Sequence, residues 1–218
     1  MTVFLHTADW QIGKPFLHVE NDEKRYKLKR ERINVIRRIK ELLDSRQIDF
    51  ILVAGDMFDS PLPSNADYLE VLDSIGKLNI PVIVIPGNHD HGSYGSIWKN
   101  KDFISYKEDL APNLNLILEN KFIEIKDAII FACPLLQRHV TLDPTLWLRE
   151  IDWKKFTQEK TRIVIAHGST QEFASRDYNH EEFEIKTATN LINLDKLNLT
   201  EIDYIALGDW HNLKEVKK

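Results

Sequence analysis

The sequence predicts an α/β fold. Short apolar runs rich in β-branched residues, most of them ended by Gly, Pro or Asp, predict strands. Several runs are apolar at consecutive positions, which is typical of strands covered on both faces of a sheet. Amphipathic stretches with helical spacing separate them. Polar side chains follow several of the strands, at the edge where ligands bind in such folds.

The chain alternates between predicted strands and helices before and after a central run of strands. Residues 24–46 and 65–78 show the clearest helical spacing, and residues 145–159 and 189–198 show fainter helical patterns. No stretch rich in Pro, Gly or Ser marks a linker, so residues 1–218 are expected to form one domain. The predicted strands are TVFLHTA, DFILVAG, IPVIVIPG, LNLILEN, KFIEIK, AIIFACP, RIVIAHG and DYIALG.

Composition and hydropathy argue against several classes of protein. No apolar run approaches the roughly 20 residues that span a bilayer, and the first residues lack the cationic and apolar parts of a signal peptide. The single cysteine, Cys133, cannot form an internal disulfide or build a thiolate zinc site. A cytoplasmic protein without a membrane partner is therefore expected.

Charge is unevenly distributed along the chain. The net charge of −5 does not indicate a nucleic-acid-binding protein, yet residues 24–40 hold nine Lys or Arg and one Glu. A solvated helix face is the simpler interpretation of this run. The alternative is contact with a nucleic-acid backbone through Lys24, Arg25, Lys27, Lys29 and Arg30.

Five short stretches end predicted strands with side chains that can bind a metal. Carboxylate, amide and imidazole groups together suit divalent ions such as Mn²⁺, Fe²⁺ or Zn²⁺. One such pair would be weak evidence, because Asp and Asn are common in turns. Five together predict a metal site. The stretches are HTADWQIG, GDMFD, PGNHDHG, IAHGS and LGDWHN, and they carry Asp9, Gln11, Asp56, Asp59, Asn88, His89, Asp90, His167, Asp209 and His211.

This series of motifs resembles that of the calcineurin-like metallophosphoesterases. HTADWQIGKPF, AGDMFDSPLPS and IPGNHD are most similar to the SbcD-type DNA-repair exonucleases, and the resemblance extends from residue 3 to about 212. It implies a four-layer α/β/β/α sandwich with the metal site at the carboxyl edge of the strands. It also implies a metal-dependent phosphodiesterase, most simply a DNA exonuclease or endonuclease.

The resemblance also implies a role for each motif residue. Asp56 would bridge two divalent ions that bind the phosphate diester and activate a water molecule. His89 matches the catalytic histidine of the family, and Asp59 and Asp90 are candidates to orient it or a ligand. One ion would be held by Asp9, Gln11, Asp56 and His211, and the other by Asp56, Asn88, His167 and Asp209.

Two positions depart from the family pattern. Gln11 and Asp209 each stand where the family usually has histidine. The site would then have more oxygen ligands, which favours Mn²⁺ or Mg²⁺ over Fe²⁺ or Zn²⁺. The ion on the Gln11 side would be bound more weakly and would exchange more readily. In the alternative interpretation, Gln11 contacts a bound water or the backbone and the site holds one metal.

Other functions and partners stay open at this point. The same residues could serve a phosphoesterase acting on nucleotides or other small phosphoesters, or a non-catalytic binding scaffold on the same fold. The resemblance implies DNA as a partner and allows a homodimer. SbcD-type enzymes continue with further strands, a capping region and a tail that binds an SMC-like ATPase. This chain ends seven residues after His211, so the final strands and the cap are expected to be lacking and the ATPase partner is unsupported.

Overall fold

The computed structural model describes residues 2–170 and 189–210. Within these ranges the chain forms ten strands and three α-helices, joined by loops and short 3-10 helices. The helices are α1 (Asp22–Ser45), α2 (Asn65–Gly76) and α3 (Lys101–Leu110). The strands are β1 (Phe4–Thr7), β2 (Phe50–Ala54), β3 (Val82–Ile85), β4 (Leu114–Leu116), β5 (Lys121–Ile125), β6 (Ala128–Cys133), β7 (Thr161–His167), β8 (Ser169–Thr170), β9 (Leu191–Ile192) and β10 (Tyr204–Gly208).

Eight of these strands form two four-stranded sheets. The first sheet has the order β1-β2-β3-β4 and is parallel throughout. The second has the order β10-β7-β6-β5, and β5 alone is antiparallel to its neighbour. Each of the eight predicted strands is confirmed, and the predicted α/β class is confirmed with them.

Alternating side chains divide the core into layers. In β2, Ile51 and Val53 pack beneath α1, α2 and α3, while Phe50, Leu52 and Ala54 face the second sheet. This follows from the two-residue period of a strand, since each face of a buried strand needs its own apolar cover. The far face of the second sheet packs against loops and 3-10 helices. The two sheets therefore lie face to face, with the three helices on the outer face of the first.

The helix predictions succeed at the amino-terminal end and fail further along. The predicted helices 24–46 and 65–78 correspond to α1 and α2. The prediction of a helix over 145–159 was wrong, because this segment forms two short 3-10 helices interrupted at Ile151 and Asp152. The prediction over 189–198 was also wrong, since β9 and a three-residue 3-10 helix lie there. In both segments, apolar side chains from irregular turns pack on the outer face of the second sheet. Their spacing along the sequence resembles that of an amphipathic helix, which explains the wrong predictions.

No helix among the described residues combines the length and the apolar character that crossing a bilayer requires.

The buried thiol of Cys133 gives a simple test of the second sheet. Burial raises the pKa of Cys133 to about 12, and the indole N–H of Trp147 donates to its sulfur at 3.1 Å. Because the thiolate is the reactive form, alkylation at pH 8 is expected to be roughly 10³-fold slower in the native protein than in urea. Iodoacetamide labelling followed by mass spectrometry measures both rates. Equal rates would contradict this packing.

Candidate metal centre

The predicted site residues lie at the carboxyl ends of strands from both sheets. Asp9 and Asp56 each come two residues after a strand, β1 and β2 respectively. Asn88 follows β3, His167 ends β7 and Asp209 follows β10 directly. Because parallel strands present their carboxyl ends at the same edge, the two facing sheets bring these five side chains together.

The backbone at the first two strand ends is held in an unusual conformation. Asp9, Gln11 and Asp56 have φ angles of +54°, +44° and +53°, and Asp209 has +114°. Non-glycine residues adopt positive φ at a cost in free energy, and such residues cluster at functional sites. Hydrogen bonds between the two loops offset this cost. The N–H of Asp9 donates to the carbonyl oxygen of Gly55 at 3.1 Å, and that of Gln11 donates to the carbonyl oxygen of Asp56 at 2.9 Å.

His167 lies at the centre of one predicted ligand set. Its Nε2 is 2.8 Å from Oδ1 of Asn88, 3.7 Å from Oδ1 of Asp56 and 3.8 Å from Oδ1 of Asp209. Two ligands bound to one ion at roughly 2.1 Å each can be no more than about 4.2 Å apart. The Nδ1 atom is 2.8 Å from the carbonyl oxygen of Ala54, which only accepts hydrogen bonds, so Nδ1 carries a proton. Nε2 is the nitrogen that faces the oxygens of Asn88, Asp56 and Asp209, and it is the atom that would bind a cation.

The charges around His167 fit a bound cation. Ligand atoms of Asp9, Asp56 and His167 all lie within 4.8 Å of one another, and the last two residues are buried. The backbone N–H of Asp209 donates to both carboxylate oxygens of Asp9, at 3.2 and 3.1 Å, which adds a third carboxylate nearby. Burial by itself lowers the pKa of His167, but Asp56, Asp9 and Asp209 together raise it above the usual histidine value. Such a concentration of negative charge favours a positive partner, and a divalent ion would supply one.

His89 is fixed to the metal centre through its backbone and to Asp59 through its ring. Its N–H donates to Oδ1 of Asp56 at 2.9 Å. Its Nδ1 is 3.1 Å from the carbonyl oxygen of Asp59 and 3.5 Å from Oδ1 of the same residue. The side chain retains 28% of its exposure, so a substrate can reach it. The predicted contact between Asp59 and His89 is therefore present.

Asp90 connects two loops of the site and does not touch the imidazole of His89 in any contact that the structure records. Its carboxylate accepts the N–H of Gly87 at 2.7 Å and that of Phe58 at 3.1 Å, and the residue is fully buried. Burial and the charge of Asp56 raise the pKa of Asp90 to about 7, although the two N–H groups oppose that shift. Asp90 thus holds the loop that carries Asn88 and His89 against the loop that follows β2.

The second predicted ligand set is only partly described. Asp9 and Asp56 lie together as predicted. Gln11 is fully buried, and its Oε1 accepts a hydrogen bond from Nζ of Lys14 at 2.7 Å. The same Nζ lies 3.9 Å from Oδ1 of Asp59. His211 lies outside the described residues.

Trp10, between Asp9 and Gln11, belongs to the core beneath the helices. It is 3% exposed, and its indole N–H donates to Oγ1 of Thr7 at 2.9 Å. A role in stacking on a base is therefore not supported for Trp10.

Sequence reasoning missed Arg32. This residue of α1 donates from Nη1 to the carbonyl oxygens of Asp9 at 3.2 Å and Trp10 at 2.9 Å, and its guanidinium lies 5.4 Å from the ring centre of Phe16. It is four residues before the buried Ile36 and seven before the buried Ile39. That spacing puts it on the buried face of the helix, and this signal could have found it.

Arg32→Met is expected to weaken Mn²⁺ binding by roughly 10-fold, because residues that orient metal ligands typically contribute that much. The variant removes both hydrogen bonds to the strained backbone around Asp9, whereas Arg32→Lys can keep one. Isothermal titration of metal-stripped protein measures the affinity. Arg37→Met, at an exposed position of the same helix, is the matched control. Equal losses of Mn²⁺ affinity in Arg32→Met and Arg37→Met would contradict a specific role for Arg32.

Much of the positive charge on α1 is paired with carboxylates. Lys27 lies 2.6 Å from Glu23 and Arg30 lies 2.6 Å from Glu70, while Arg25 pairs with Asp22. These contacts favour the interpretation of a solvated helix face for three of the five residues considered as nucleic-acid contacts. For Lys24 and Lys29 the nucleic-acid interpretation stays a prediction.

The chain was compared with protein families and with solved structures. The family model described as calcineurin-like phosphoesterase matches residues 2–213. A solved crystal structure with 13% sequence identity aligns over 75% of this chain and 55% of its own chain, with a TM-score of 0.34. This chain thus spans about half the length of that relative.

Proposed function

Because this chain belongs to the calcineurin-like phosphoesterase family, we propose that it hydrolyses phosphodiester bonds of DNA in a reaction that depends on divalent metal ions. Metal-dependent phosphoester hydrolysis is the activity of the family. DNA as the substrate, and Mn²⁺ or Mg²⁺ as the ion, are the parts that we propose.

One observation carries the catalytic part of this proposal. Asp56 is shared between the metal centre and His89, since its Oδ1 accepts the His89 N–H at 2.9 Å and lies 3.7 Å from Nε2 of His167. The metal ligands and the candidate proton donor therefore form one unit. Bound divalent ions would polarise the phosphoester and lower the pKa of the attacking water. Five described residues would hold the metal: Asp9, Asp56, Asn88, His167 and Asp209. Gln11 and His211 are the other ligands that the sequence predicts.

His89 has the geometry of a group that can protonate the leaving oxygen. The carbonyl oxygen of Asp59 only accepts hydrogen bonds, so Nδ1 of His89 carries a proton. Nε2 is then the nitrogen left for the substrate, and the contacts of Nδ1 keep the ring in place. Asp59 therefore acts as a positioning residue for His89.

Two observations support DNA as the substrate class. The motifs around Asp9, Asp56 and Asn88 resemble those of SbcD-type nucleases. In addition, Arg138 and His139 lie close enough to His91 for their charges to lower its pKa, together with the larger effect of burial. The N–H of Gly92 donates to the carbonyl oxygen of Leu135 at 2.8 Å, which holds these two loops side by side next to His89. Positive groups beside the reacting centre can bind the neighbouring phosphates of a polynucleotide.

The proposal is tested with metal-stripped protein and two kinds of substrate. End-labelled single-stranded and duplex DNA report nuclease activity, and bis(p-nitrophenyl) phosphate reports phosphodiester hydrolysis without a polynucleotide. We expect Mn²⁺ or Mg²⁺ to restore cleavage of DNA. His89→Gln is expected to lower kcat by about 10²- to 10⁴-fold, the usual range for a lost acid–base group, while metal binding is retained.

His18→Ala, at an exposed histidine, is the matched control and should cleave DNA at the wild-type rate. Hydrolysis of the small diester without cleavage of DNA would move the assignment to nucleotides or other small phosphoesters. Absence of hydrolysis of both substrates by metal-loaded protein would support a binding scaffold.

A further inference from the structure

Gln11 and Lys14 form a pair at the edge of the metal centre that the family pattern does not explain. The side-chain oxygen is the atom of Gln11 that could bind a metal, and it accepts a hydrogen bond from Nζ of Lys14 at 2.7 Å. Gln11 is fully buried and the side chain of Lys14 is partly exposed, so this contact lies at the border between the interior and the solvent. We propose that the Lys14 ammonium serves as a built-in cation of the centre, which binds one divalent ion per chain. The inference rests on the proposed metal-dependent function and specifies the metal content of that site.

Gln11 cannot easily turn from Lys14 to a metal ion. Its backbone N–H is bound to the carbonyl oxygen of Asp56 at 2.9 Å, and its φ of +44° fixes the local chain direction. Turning the amide toward an ion would break the bond to Lys14 within a buried environment. An ion placed on the same oxygen would also lie close to the ammonium, and the two positive charges would repel each other.

The Lys14 ammonium lies beside Asp59, which contacts the candidate proton donor His89. Nζ of Lys14 is 3.9 Å from Oδ1 of Asp59, and that oxygen is 3.5 Å from Nδ1 of His89. Its side chain keeps 29% of its exposure, so a phosphate oxygen can reach it from solvent. A lysine ammonium binds phosphate as a point charge, and here it would do so beside the candidate proton donor.

The other ligand set does not depend on Gln11. Oxygens of Asn88, Asp56 and Asp209 lie 2.8, 3.7 and 3.8 Å from Nε2 of His167. These contacts give a group of donors for one ion that includes neither Gln11 nor Lys14. The site therefore keeps one divalent ion, and the fixed charge of Lys14 takes the second position.

Metal content tests this inference directly. Metal-stripped protein is incubated with excess Mn²⁺, passed through a desalting column and analysed for Mn per chain. Electron paramagnetic resonance of the same samples separates isolated Mn²⁺ from coupled pairs. The variants are Lys14→Met, Gln11→His and the double variant, with Lys101→Met as a matched loss of an exposed lysine.

We expect one isolated Mn²⁺ per chain in the wild type and in Lys101→Met, and two coupled ions in the double variant. Lys14→Met is expected to bind a second Mn²⁺ at least 10-fold more tightly than the wild type does. Two tightly held ions in the wild type would overturn the inference, and so would a double variant that still holds one.

Hydrolysis of bis(p-nitrophenyl) phosphate by the same samples separates the two proposals. Activity with two ions refutes only the single-ion site, whereas one ion without activity refutes only the proposed function.

Discussion

Asp56→Asn is expected to lower Mn²⁺ affinity by about 10³-fold or more and to abolish hydrolysis. The carboxylate is 1% exposed and lies between His167 and the His89 N–H. A unit charge at about 4 Å, with an effective dielectric constant near 20, interacts by about 4 kcal/mol, and each factor of ten in affinity corresponds to about 1.4 kcal/mol. Asparagine keeps the shape of the side chain and loses that charge.

The same variant should remain folded without metal. The asparagine Oδ1 can still accept the N–H of His89, and the substitution relieves the repulsion among Asp9, Asp56 and Asp209. We therefore expect the Tm of metal-free Asp56→Asn to equal or exceed that of the metal-free wild type. Added Mn²⁺ should raise the Tm of the wild type by binding the native state, and leave that of the variant unchanged.

Differential scanning calorimetry with and without Mn²⁺ measures these shifts. Asp73→Asn removes a carboxylate from a surface pair with Lys77 and is the matched control, with a wild-type response to Mn²⁺. An equal Mn²⁺-induced shift in Asp56→Asn and the wild type would show that the ion binds elsewhere.

The sheets could be predicted from sequence because their signals are local. Buried parallel strands such as β2 and β3 are apolar at every position, and Gly, Pro or Asp ends each of them. The site followed from the same reasoning, since the carboxyl ends of these strands must meet. Asp56 and His167 are 111 positions apart, yet the position of each at a strand end sufficed to place them together.

The features that sequence did not reveal depend on tertiary contacts. α3 is ten residues long, which is short for a helix that must be stable by its own sequence, and its one fully buried residue, Phe103, packs in the core beneath the first sheet's helices. Arg32 belongs to the basic run that was interpreted as a solvated helix face, and its helical spacing indicates burial but not its contacts with the carbonyl oxygens of Asp9 and Trp10. No pattern in the sequence indicates that Lys14 reaches Gln11. The sequence predicts which residue types lie at the strand ends, but the tertiary contacts of each side chain determine which of them are placed to bind an ion.

Gly55→Ala is expected to disrupt the site from the backbone. Gly55 has a φ of +86°, and a Cβ there would lie 2.2 Å from Nδ1 of His167 and 2.9 Å from Cα of Gly87. The ring cannot move aside without losing the bond from Nδ1 to the carbonyl oxygen of Ala54. Backbone strain of roughly 1–2 kcal/mol and overpacking of roughly 1–3 kcal/mol together give an expected destabilisation of about 2–5 kcal/mol.

Gly95 separates the two contributions, because its φ of +85° is almost the same and a Cβ there would meet nothing within 4 Å. Gly95→Ala should therefore cost only the strain, roughly 1–2 kcal/mol, and should leave Mn²⁺ binding intact. Urea unfolding gives the free energy of each variant, and titration with Mn²⁺ gives its affinity. Gly55→Ala should lose at least 10-fold in affinity as His167 is displaced. If the two variants lost equal stability and both bound Mn²⁺ normally, the close packing of the β2 turn against His167 would be wrong.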